Sequence, residues 1–75
     1  MTQQSELDLV GVGWPVCLLE CKRAINKIYP GHVLTILIKD PDTVKELETI
    51  VKRSSDHIVR MQEENDIYRI QIQKG

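Results

Sequence analysis

The sequence has no excess of charge of either sign and no long hydrophobic run. Ten basic residues stand against eleven acidic ones, for a formal net charge of -1, so no global field favours nucleic acid or an anionic membrane. The longest apolar stretch, at residues 33–38, is far shorter than the roughly 20 residues that cross a bilayer. Residues 1–4 lack the basic start of a signal peptide. We therefore expect a cytoplasmic protein without a membrane partner.

Cysteine is also scarce. Cys17 and Cys21 are the only two, and in a chain without secretory features they indicate free thiols rather than a disulfide framework. A disulfide between positions four apart on a regular helix would need awkward geometry. The two thiols with His32 and His57 match no zinc-ligand spacing. The sequence thus predicts neither a metal site nor a cofactor.

The length and composition fit one small globular domain. A chain of 75 residues, 41% hydrophobic and 28% charged, has room for one core, and a domain of this size buries only about 60% of its unfolded surface. Residues 1–6 are polar and are expected to be flexible. We predict a single domain over residues 1–75.

Proline residues mark the limits of two predicted helices. Pro15 suits a first helical position and Pro30 ends the same helix, which should run from residue 15 to about residue 29. Its buried stripe is predicted from helical spacing as Leu18, Leu19, Cys21, Ile25 and Ile28. Asp40 is a candidate N-cap for a second helix from Pro41 to about residues 54–55, with Val44, Leu47 and Val51 on its inner face.

Four strands are predicted around these helices. A short alternating strand is expected at residues 7–10, a central apolar strand at 33–38, and two antiparallel strands at 57–62 and 67–73, joined by a polar turn. Right-handed crossovers would then place both helices on one face of a four-stranded mixed sheet. The predicted fold class is α/β, a two-layer β-α-β-α-β-β sandwich.

A recognisable pattern lies within this order of elements. Residues 7–11 read Leu-Asp-Leu-Val-Gly, residues 14–17 read Trp-Pro-Val-Cys, and Pro-Gly and Asp-Pro follow at residues 30–31 and 40–41. In spacing and element order the chain resembles the TusA/SirA-like sulfur carriers. That family opens with a Leu-Asp-x-Arg-Gly strand and begins its first helix with a Cys-Pro-x-Pro motif. The resemblance covers nearly the whole chain from Leu7 onward.

The resemblance implies a function, but this chain departs from the family motif at two positions. In the family, the motif cysteine accepts a persulfide sulfur from a donor, such as a cysteine desulfurase or a rhodanese-like protein, and passes it to an acceptor. Trp14 occupies that cysteine's position here, and Val10 replaces the motif arginine. The tryptophan is either natural to this chain or a substitution of the motif cysteine.

The candidate site consists of three residues, Trp14, Pro15 and Cys17. Cys17 falls in the first turn of the first helix, where the positive end of the helix dipole favours a thiolate, and it is the candidate sulfur carrier. Cys21, in the apolar stripe, reads as a core residue. Trp14 and Pro15 are candidate partner-binding residues; the alternative for Trp14 is that it folds over the helix start and shields the core.

Two functions follow from this pattern. The first is a sulfur-relay protein, a sulfurtransferase by resemblance, with its chemistry moved to Cys17 or impaired. The second is a non-catalytic protein-interaction module that keeps the fold. Nucleic-acid binding has little support, because the basic residues are intermixed with acids.

Overall fold

The computed structural model describes residues 4–75. Of the start predicted to be flexible, residues 1–3 lie outside the described part, whereas residues 4–6 belong to a strand, contrary to the prediction. Six elements follow one another: β1 (Gln4–Asp8), α1 (Val16–Lys27), β2 (Val33–Ile38), α2 (Pro41–Lys52), β3 (His57–Glu64) and β4 (Ile67–Gln73). Their order, β-α-β-α-β-β, is the one predicted from the sequence.

The strands form one mixed sheet in the order β1-β2-β4-β3. β1 runs parallel to β2, whereas β4 is antiparallel to both β2 and β3. Two parallel crossovers, from β1 to β2 through α1 and from β2 to β3 through α2, place both helices on the same face because such connections are right-handed. The predicted two-layer α/β sandwich is confirmed.

The first strand lies earlier in the chain than predicted. It spans Gln4–Asp8 rather than residues 7–10, so Ser5 and Glu6 belong to the sheet and Val10 does not. Its extent is set by its partner, because Gln4 is level with Val33 and Asp8 with Leu37. The alternation within residues 7–10 could not reveal this register.

The first helix is shorter than predicted. Pro15 is its N-cap, helical hydrogen bonding covers Val16–Lys27, and Ile28 is already extended. Tyr29 precedes Pro30, and a residue before proline is disfavoured in the helical region, so the chain leaves the helix early. The inner face contains Cys17, Leu18, Cys21 and Ile25. The prediction of a buried Leu19 is wrong, because its side chain is 52% exposed.

The second helix begins where the sequence predicts. Asp40 is its N-cap, with a carboxylate oxygen accepting the Asp42 N–H at 3.2 Å, and Pro41 is the first helical residue. The helix ends at Lys52, two residues before the predicted end. The predicted inner face is confirmed, and Thr43 is buried beside it; the buried residues are Thr43, Val44, Leu47 and Val51.

The closing hairpin has a tighter turn than predicted. β3 continues to Glu64, so the turn consists of Asn65 and Asp66, both at positive φ, 53° and 65°. Two consecutive residues of this conformation are typical of the type I′ turn, whose twist matches that of paired strands. Along β4, Ile70 and Ile72 are buried and Tyr68 packs against the core, so these alternate residues share the face that meets the helices.

A single core lies between the sheet and the helices. Ile36, Leu47 and Ile70 are fully buried at its centre, and complete burial of such a side chain contributes about 1.5–3 kcal/mol. Within residues 4–75, no helix is long and apolar enough to cross a membrane. The core holds the starts of α1 and α2 at one end of the molecule, where the candidate residues lie.

Candidate functional site

A short loop links β1 to α1 and fixes the start of the helix. Asp8 accepts the Val10 N–H at 3.0 Å, and the Leu9 carbonyl accepts the Val12 N–H at 3.0 Å. Gly11, between them, has φ of +91°, a conformation that side chains other than hydrogen disfavour. Gly11 therefore has a specific conformational role in this loop.

Trp14 lies on the surface at the end of this loop. Its side chain is 57% exposed and is not part of the core cluster. The indole N–H donates to a carboxylate oxygen of Glu46 on α2 at 3.4 Å. Trp14 also lines a shallow opening of about 420 Å³ together with Asp42, Lys45 and Glu46. Its indole is thus available to a partner.

Trp14 is not the only exposed apolar residue here. Pro15 is exposed beside it, and large apolar side chains are exposed before and after it at Val10, Val16 and Leu19. Val16 and Leu19 are three residues apart and so share one face of α1. We call Val10, Trp14, Val16 and Leu19 the apolar rim. The sequence prediction missed Val16 and Leu19 as surface residues.

Cys17 lies in the first turn of α1 as predicted, but its side chain points inward. The residue is 0% exposed. Burial raises the pKa of its thiol; a hydrogen bond with the Thr43 hydroxyl has a smaller, opposite effect. In this conformation Cys17 is neither accessible nor ionised near neutral pH, the two properties that an attacking thiolate needs.

Cys21 is a core residue, one turn further along α1. It too is 0% exposed, and burial, with the adjacent Cys17, raises the pKa of its thiol to about 12. Both cysteines are free. The structure therefore holds two neutral thiols next to each other inside the domain.

A polar chain connects these thiols to the start of α2. The Thr43 hydroxyl donates to Asp40 at 2.8 Å, and the same side chain is close enough to Cys17 to affect the pKa of its thiol. Thr43 is itself 0% exposed. The sequence analysis did not identify Thr43; the available signal was a threonine three residues after an N-cap aspartate, a position from which a hydroxyl reaches the cap.

The four residues considered as metal ligands do not come together. Cys17 and Cys21 share α1, whereas His32 packs edge-on against Tyr29 with ring centroids 5.7 Å apart, and His57 is exposed on β3. Among residues 4–75, no group of three or more histidine, cysteine, aspartate or glutamate side chains is placed to hold an ion. A conventional four-ligand zinc site has no basis in this part of the chain.

Comparisons with known proteins agree with this architecture. The sequence model of the family described as "Sulfurtransferase TusA" matches residues 5–74. The sulfur carrier protein TusA of Allochromatium vinosum is 29% identical over 93% of this chain and 92% of its own length. The putative sulfur carrier protein YrkI of Bacillus subtilis is 27% identical over the full length of both chains.

A solved structure shows the same fold. The SirA-like protein from Desulfitobacterium hafniense superimposes with a TM-score of 0.80 over 95% of this chain and 97% of its own, at 18% sequence identity. The family match spans every element from β1 to β4. On that coverage, this chain belongs to the TusA family.

Proposed function

We propose that this chain acts in a sulfur relay of the TusA kind, by docking the proteins that donate and accept sulfur. The proposal is supported by the family match over residues 5–74 and by relatives named as sulfur carriers that align over nearly their whole length. A cysteine desulfurase or a rhodanese-like protein is the proposed donor. The cytoplasm is the proposed location.

Within this relay we assign docking to Trp14 and Pro15. The observation that carries the assignment is the exchange of roles at the start of α1: the position of the motif cysteine holds an exposed tryptophan, while both thiols are buried. Tryptophan is among the residues that contribute most to protein interfaces, because a large rigid surface is desolvated on contact. The apolar rim enlarges the surface that a partner would cover.

A second candidate is that Cys17 carries the sulfur after local opening of α1. The observation in its favour is that the first turn of α1 has no side-chain cap and no acidic residue. The Cys17 N–H donates to the Gly13 carbonyl at 2.9 Å, but without a capping side chain the turn opens at lower cost than the capped start of α2. Opening would expose Cys17 at the positive end of the helix. The closed conformation would then be a resting state.

Sulfur loading distinguishes the two candidates. The protein would be incubated with a cysteine desulfurase and cysteine, and its intact mass compared with those of the Cys17→Ser, Cys21→Ser and Trp14→Cys variants. A mass gain of one sulfur that Cys17→Ser abolishes would establish Cys17 as the carrier. A gain only in Trp14→Cys would support the docking function, with the carrier position lost.

Binding to the same desulfurase tests the docking surface directly. Trp14→Ala is expected to weaken binding by about 30-fold, the effect of losing an anchor worth about 2 kcal/mol. Tyr29→Ala is the matched control, because Tyr29 is an aromatic residue that is 72% exposed just beyond the other end of α1. Equal affinities of the two variants would contradict the assignment of Trp14.

A further inference from the structure

The two thiols form a pair that the proposed docking function does not use. Cys17 and Cys21 are four residues apart on α1, both are 0% exposed, and each thiol is close enough to affect the pKa of the other. Side chains at this spacing lie on one helix face with their Cβ atoms about 5–6 Å apart. Their sulfurs therefore face the same small volume of the core.

We propose that Cys17 and Cys21 form a two-coordinate site for a soft monovalent cation, Cu(I). This inference does not depend on the sulfur-relay function. A linear S–Cu–S unit holds one sulfur on each side of the metal, and two side chains on successive turns of one helix face can supply both. Thiolates are the ligands that select Cu(I) over harder cations.

The number of ligands selects against zinc. Structural zinc requires four ligands in a tetrahedron, and the described residues supply no third histidine, cysteine or carboxylate close enough to the two thiols. Cu(I) forms stable complexes in which two sulfur atoms are its only ligands. The pair is therefore complete for Cu(I) and incomplete for zinc.

The charge of the site is also accounted for. Binding replaces one proton on each thiol, so that two thiols and Cu(I) become a dithiolate complex of charge -1 with release of two protons. The positive end of α1 favours this charge at Cys17. Burial is the largest effect opposing it at both thiols, and Asp40 and Glu20 oppose it as well. No electron is transferred, and the metal remains Cu(I).

Access to the site is provided by the uncapped start of α1. Pro15 contributes no side-chain cap to the first turn, whereas Asp40 caps α2 and also binds Thr43. The first turn of α1, which contains Cys17, is thus less stabilised by capping than the first turn of α2. Opening this turn exposes Cys17 first, and reclosing brings the bound ion to Cys21.

The test uses Cu(I) alone, added without oxygen in competition with a chromogenic Cu(I) chelator. We expect one copper per chain, a mass that shows loss of two protons, and two sulfur neighbours in X-ray absorption. Cys17→Ser and Cys21→Ala should each lower the affinity at least 100-fold. Met61→Leu, which removes an exposed thioether, should leave it unchanged.

Three other outcomes would contradict the proposed Cu(I) site. Copper shared between two chains, a coordination shell without two sulfurs, or an affinity that falls less than threefold in Cys21→Ala would each do so. If a variant fails to fold, the stoichiometry and the sulfur count of the unaltered protein still decide. A site in the native fold also predicts a higher melting temperature with bound Cu(I); a lower one would mean that copper binds the unfolded chain.

Discussion

The Trp14 indole N–H donates to the Glu46 carboxylate at 3.4 Å, and this contact joins the loop before α1 to the second turn of α2. Both side chains are exposed, so the bond helps to orient the indole but adds little to stability. Glu46→Ala should change the emission of Trp14, the only tryptophan, and increase its quenching by acrylamide. The free energy of unfolding should change by less than about 1 kcal/mol.

Glu48→Ala is the matched control for that experiment. Glu48 is a carboxylate on the same helix that makes no hydrogen bond to Trp14 within the described residues. Its removal should leave the emission and quenching of Trp14 unchanged. Identical spectra for the Glu46 and Glu48 variants would show that the indole is not held by Glu46 in solution.

Asp40 is expected to be the most important polar residue for the start of α2. It accepts both the Asp42 N–H and the Thr43 hydroxyl, so Asp40→Ala should lower the free energy of unfolding by about 1–2 kcal/mol. Urea denaturation would measure this loss. Asp40→Asn, which keeps an oxygen at the cap, should retain most of the stability; an equal loss in both variants would contradict a capping role.

The buried thiols should make stability fall at alkaline pH. Their pKa values are raised in the folded state, that of Cys21 from 9.0 to about 12. Below pH 9 the thiols are protonated in both states, and above it the unfolded chain releases protons first, so stability declines from about pH 9 towards 12. Urea denaturation of Cys21→Ala over this range should show a shallower decline. An equal slope would contradict the raised pKa.

The turn between β3 and β4 offers a stabilising substitution. Asp66 has φ of +65°, and glycine adopts this conformation without strain and follows asparagine in the most favoured two-residue hairpin turns. Asp66→Gly should raise the free energy of unfolding by about 0.5 kcal/mol. Glu64→Gly, at the last residue of β3 immediately before the turn, should lower it. A loss in both variants would argue against the type I′ turn.

The sequence predicted the order of elements because each carries a local signal. Asp40 accepts a free backbone N–H at the start of α2, Pro41 has no N–H to leave unpaired there, and the short β-branched run of β2 favours a buried strand. The limits of β1 could not be predicted, since pairing with β2 determines them. The burial of Leu19 was also predicted incorrectly. Helical spacing predicts which face of α1 is turned towards the sheet, but it does not predict how wide a part of that face the sheet covers.

By itself, the sequence determined the fold class, the family resemblance and the position of Trp14 at the start of α1. These depend on local propensity and on spacing along the chain. Only the tertiary structure decided that Cys17 points into the core, that Thr43 joins it to Asp40, and that Trp14 reaches Glu46. The reason is that α1 and α2 are far apart in sequence, and only their packing on one face of the sheet determines which side chains are buried and which are exposed.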